Sequence, residues 1–118
     1  MNETLALFYS ADLHDAVVKT MSFDFEKQSL HFVFELWDSE KEQTTLYSQE
    51  FKGVDKFTSD YPQALKFAPS SCFLHTCKAV ENNRYEASYK FDFQDGDVVW
   101  LLTIGFTSLS VESEYLRL

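Results

Sequence analysis

The sequence predicts a mainly β fold: seven or eight antiparallel strands in two consecutive meanders, forming a sandwich or strongly curved sheet, with one short helix or irregular segment between them. Three observations carry this. Apolar and polar residues alternate over long runs, which is the period of a strand with one buried face. Strong turn signals sit between those runs, Asp95-Gly96 above all. All connections are short except the one from Thr58 to Ser71, so sequential strands can pair without crossovers. A chain of 118 residues holds one core, hence a single domain over 1–118.

The elements follow in order. Thr4 to Asp12 reads as a helical or irregular segment. Met21, Phe23 and Phe25 alternate with Ser22, Asp24 and Glu26; Glu26-Lys27-Gln28-Ser29 breaks the pattern, and Leu30, Phe32, Phe34 and Leu36 resume it, which is a hairpin. The opposite face of that second strand carries His31, Val33, Glu35 and Trp37, too mixed for plain exposure. The polar run Asp38 to Gln43 is an exposed connection, Thr44 to Phe51 a third strand, and Gly53 its end or a bulge. Asp60 is placed to cap a short helix through Tyr61, Pro62, Ala64 and Leu65 that stops before Pro69.

In the second half Phe73, His75, Cys77 and Ala79 share one face, with Cys72 on the other. Glu81-Asn82-Asn83 turns the chain into Tyr85, Ala87, Tyr89, Phe91 and Phe93, which alternate strictly with Arg84, Glu86, Ser88, Lys90 and Asp92. After Asp95-Gly96 comes a strand apolar on both faces, Val98 to Phe106, expected to be central. Its parity switches at Gly105, where a bend or a change of partner is expected. Twelve Phe against one Ile imply an interior of rings packed edge to face.

Nineteen acids against ten bases give a net charge of -9, which repels phosphate backbones and anionic headgroups, so neither nucleic acid nor a membrane is expected as partner. The opening residues lack a basic start followed by a long apolar run, so a cytoplasmic location is expected. Cys72 and Cys77 lie on a strand where five residues span roughly 16 Å, too far for a disulfide, and read as buried free thiols. Cys72, His75 and Cys77 lack the spacing of a zinc site. A cysteine nucleophile served by His14, His31 or His75 has no activating neighbour in the sequence. No Gly-x-Ser-x-Gly elbow and no glycine-rich phosphate loop is present, so no cofactor and no catalytic residue is assigned. The Asp95-Gly96-Asp97 run lacks the further oxygen ligands of a calcium loop. His14-Asp15, at the entrance to the first strand, reads as a junction held by hydrogen bonds to backbone rather than as part of a triad.

Leu13-His14-Asp15-Ala16-Val17, the hairpin from Met21 to Leu36, and Phe51-Lys52-Gly53-Val54 resemble a group of small bacterial β-rich proteins. One family of that group is counted among the immunity proteins of polymorphic toxin systems; the strand Ile104 to Glu114 is similar too. The resemblance implies toxin binding without catalysis. The leading expectation is a non-enzymatic acidic domain that meets a basic protein, with Trp37 as anchor beside Asp38, Glu40 and Glu42. Against it stands a core Trp37 next to ordinary loop acids. The alternatives are a barrel-like domain with an aromatic pocket for a small ligand or substrate, and a homodimer subunit that pairs through an exposed strand.

Overall fold

The computed structural model describes residues 2–61, 70–93 and 99–115. After α1 (Glu3–Phe8) come eight strands: β1 (Val17–Asp24), β2 (Ser29–Asp38), β3 (Gln43–Lys52), β4 (Lys56–Ser59), β5 (Ser70–Val80), β6 (Arg84–Phe93), β7 (Val99–Phe106) and β8 (Ser108–Tyr115). They form one antiparallel sheet in the order β4-β7-β6-β5-β1-β2-β3-β8, strongly curved and not closed into a barrel. Among the described residues no helix is long and apolar enough to cross a membrane. The expected helix after Asp60 and the Asp95-Gly96 turn fall on residues 62–69 and 94–98, outside the described residues. The unanticipated strand is β4, whose four exposed residues carry no alternation of burial to read.

The two meanders β1-β2-β3 and β5-β6-β7 are present, but each is completed by the strand that follows the other. From β3 the chain runs into β4, which pairs with β7; from β7 it runs into β8, which pairs with β3. The halves therefore repeat row by row. Val18, Phe34, Tyr47 and Ser113 lie side by side in one. Cys72, Phe91 and Trp100 form the same row in the other, and Tyr61 follows β4 beside Trp100 and Phe93, with ring centroids 5.0 and 5.4 Å away. Both first strands carry a register shift near their start, between Val18 and Thr20 and between Cys72 and Leu74. At the centre β2 faces β6: Phe32 lies 5.5 Å from Tyr89 and Phe34 6.5 Å from Phe91.

The two halves meet in the sheet at one pair, Val17 with Ser71, reinforced where the Asp15 N–H donates to the Cys72 carbonyl and the Cys72 N–H donates to the Ala16 carbonyl, each at 2.8 Å. Asp15 reaches its partner with φ 67°, a conformation that Asp tolerates better than most residues. The exchange of strands happens at a single corner. Gly53 ends β3 with φ +65° and would drive any Cβ into the Thr107 side chain, while the Thr107 N–H donates to the Lys52 carbonyl at 2.9 Å. The parity switch read at Gly105 comes from this corner at Thr107; Gly105 itself stays in β7, opposite Lys56 and Glu86.

The core is made of rings. Phe8, Phe32, Phe34, Phe51, Phe91 and Phe106 are fully buried, with Tyr89 and Trp100 among them. Contrary to the edge-to-face expectation, the central rings stack: Tyr89 on Phe91 at 12° and Phe91 on Trp100 at 29°. Neighbours on one sheet face share the orientation of the strand, which brings their rings parallel. Three face assignments change. The shift in β5 turns Cys72 inward with Cys77 and leaves Phe73 exposed. Met21 stays largely exposed and Phe25 belongs to the turn after β1. Val99 and Leu101 of β7 face solvent although the strand lies inside the sheet.

Candidate functional site

The residues singled out in the sequence converge at one end of the β2–β3 hairpin. Leu36, Trp37 and Asp38 end β2; Ser39 and Glu40 turn toward β3; Tyr47 faces in from β3, and Val111, Glu112 and Ser113 come from β8. The chain after α1 supplies the opposite wall, with Ser10, Ala11, Asp12, His14 and Asp15. Together they enclose a groove of about 750 Å³. Trp37, Asp38 and Glu40 thus meet His14 and Asp15 in one place, whereas Glu42 lies on the far side of the turn with φ 50° and does not border the groove. Glu112 and Asp12 are the acids that sequence reading missed. Only the pairing of β3 with the distant β8 brings Glu112 there.

Each wall has a local cause. The Asp38 carboxylate accepts from the Glu40 and Lys41 N–H groups at 3.0 and 3.2 Å, which shapes the turn and presents Glu40. The Asp12 carboxylate does the same for the His14 N–H at 3.0 Å. His14 Nδ1 lies 3.1 Å from Asp15 Oδ2, and both side chains are exposed. The expected junction is held by the Asp15 backbone, so its imidazole and carboxylate remain available to the groove. Trp37 points outward, opposite the inward Phe34 and Leu36, and is 65% exposed, which overturns its reading as a core residue.

The groove also differs from its counterpart in the other half. There Tyr61 lies over Phe93 and Trp100; here the matching row ends in Ser113, so the space over Leu36 and Tyr47 is open. The groove is bordered by the acidic residues Asp12, Asp15, Asp38, Glu40 and Glu112, with the outward Trp37 on its rim, and can hold a planar or cationic side chain.

The remaining candidates sit elsewhere. Cys72 and Cys77 are buried free thiols. Burial, with Asp12 adding to it, pushes Cys72 up to about 12, and burial pushes Cys77 up to about 11, so both stay protonated and unreactive at neutral pH. His75 packs at a tilt against Phe8 and Tyr9, with ring centroids 5.6 and 6.0 Å away; burial lowers its pKa, Asp12 opposes that and His14 adds to it. Among the described residues no group of three His, Cys, Asp or Glu is placed to hold a metal ion. No family model, no curated protein and no solved structure matches the chain.

Proposed function

We propose that this protein is a non-enzymatic binding domain that receives a basic protein partner in the groove beside Trp37. The observation that carries the reading is the convergence of Asp12, Asp15, Asp38, Glu40 and Glu112 around an open groove with an exposed tryptophan on its rim. Carboxylates on a rim steer a cationic partner, and a partly desolvated indole supplies the anchor that charge alone does not. The net charge of -9 extends that attraction over the whole molecule. On the resemblance noted in the sequence, the partner would be a cationic toxin and this chain its neutralising immunity protein, acting in the cytoplasm.

The test begins with capture of partners from the native host on the immobilised protein and mass spectrometry, followed by association kinetics at low salt with the recovered basic protein. Glu40→Lys with Glu112→Lys should lower the on-rate about tenfold, as expected when steering charges on an interface rim are reversed. Trp37→Ser should mainly raise the off-rate. Glu42→Lys makes the same charge change outside the groove and should do little; if it slows association as much as Glu40→Lys, the groove is not the site.

A further inference from the structure

We propose that the molecule exchanges β8 with a second copy of itself, giving a two-fold dimer in which each β3 is paired by the other copy's β8. A strand is exchanged at low cost when its seat already fits it, its connection is short and able to straighten, and little else ties it to its own chain. The fit is the chain's own. β8 lies along β3 over eight register pairs, from Lys52 with Ser108 to Thr45 with Tyr115, and Leu109 is buried in the core. An identical strand from another copy makes the same pairs. The exchange therefore needs no new complementary surface and sets no charges across β3 and β8 that the single chain does not already hold there. The net charge of -9 on each copy opposes association at long range, and salt screens it.

The connection is one residue. Thr107 alone joins Phe106 of β7 to Ser108 of β8, and across it the chain passes from one half of the sheet to the other. So short a link turns the corner only because residue 53 has no Cβ; one added there would meet Thr107 Oγ1 at 2.1 Å. The closed corner is held where the Thr107 N–H and hydroxyl both donate to the Lys52 carbonyl, at 2.9 and 3.2 Å. If Phe106 to Ser108 runs straight instead, β7 and β8 become one long strand, and β8 is carried away from its own β3 to that of a second copy. The other exchanged strand is tied down more firmly: beside β4, Asp55 pairs with Arg84, and Lys56 pairs with Glu86 at 3.2 Å. Among the described residues β8 forms no ion pair, and it packs chiefly on β3 and α1.

The exchange builds the acidic groove from two chains. Val111, Glu112 and Ser113 of β8 border it, so in the dimer each groove sets the Trp37 and Asp12 of one copy against the β8 of the other. The exchange stands whatever the groove receives. Because the β3–β8 contacts are equal in both forms, concentration decides between them. The tethered strand competes at an effective concentration on the order of mM, so the dimer fills as the protein approaches that concentration. Whatever disfavours the closed corner moves the balance to lower concentration.

The test is the mass of the full chain by small-angle scattering as its concentration is raised to about 2 mM at moderate salt. A dimer that grows with concentration is expected. Gly53→Ala should lower the half-dimer concentration at least about tenfold, and two glycines inserted after Thr107 should raise it, because a longer link closes without strain. Should Gly53→Ala fail to fold, the parent and the insertion variant decide the same question. The exchange itself is read by cross-linking. Glu50 and Ser110 face each other across β3 and β8. Glu50→Cys and Ser110→Cys, prepared as separate chains, mixed and oxidised, should give a disulfide between residues 50 and 110 in peptide mass spectra, since neither chain alone holds both thiols. The proposal is overturned by a parent chain and variants that stay monomeric over the whole range, or by a dimer that yields no link between residues 50 and 110.

Discussion

Gln49 is fully buried on β3, where its side-chain oxygen accepts from the Tyr89 hydroxyl at 2.6 Å and its Nε2 has no hydrogen-bond partner among the described residues. An unpaired buried amide is costly, and so is a stranded hydroxyl. Gln49→Leu alone should therefore destabilise by about 1–3 kcal/mol, while Gln49→Leu with Tyr89→Phe should return to within about 1 kcal/mol of the parent in urea unfolding. Additive losses would mean the pair contributes net stability. His75 makes stability depend on pH. Its pKa is lowered in the fold, so the unfolded chain binds the proton more readily as pH falls through the ordinary histidine range. Stability should be level above that range and decline below it, and His75→Gln should flatten that part of the decline when unfolding midpoints are compared on either side of about pH 6.5.

At the scale of elements, the face assignment of β2 and β6 has a direct check. Phe32→Ala and Phe91→Ala should each cost about 3–5 kcal/mol, whereas Lys90→Ala, on the exposed face of β6, should stay within about 0.5 kcal/mol. The corner between the halves offers another. Gly53→Ala adds a Cβ at positive φ against Thr107, so its loss, about 1–2 kcal/mol or more, should shrink when Thr107→Gly is added. These strands were legible because Phe32, Phe34, Tyr89, Phe91 and Phe93 alternate with polar residues over whole strands. The shift in β5 was not, since one extra residue moves Cys72 to the other face without any change in composition. Likewise Trp37, Asp38 and Glu40 were readable as an acidic run beside an aromatic, but the groove needs Glu112 from the far end of the chain, and pairing between β3 and β8 leaves no local mark.

For the whole molecule, the reciprocal placement of β4 and β8 means that neither half carries its own closing strand. Fragments 1–60 and 61–118 expressed apart should each lack a stable sheet by circular dichroism, and mixing them should restore it. A sheet regained by either fragment alone would show that the exchange is dispensable. The same connectivity sets an order on synthesis. Thr45 waits for Tyr115 and Phe51 for Leu109, so a nascent chain on the ribosome holds the β3 edge unsatisfied until β8 clears the exit tunnel. For that interval the β3 edge is open to other chains, and overproduction should be limited by the speed of translation and by chaperone supply more than by the strength of the finished fold.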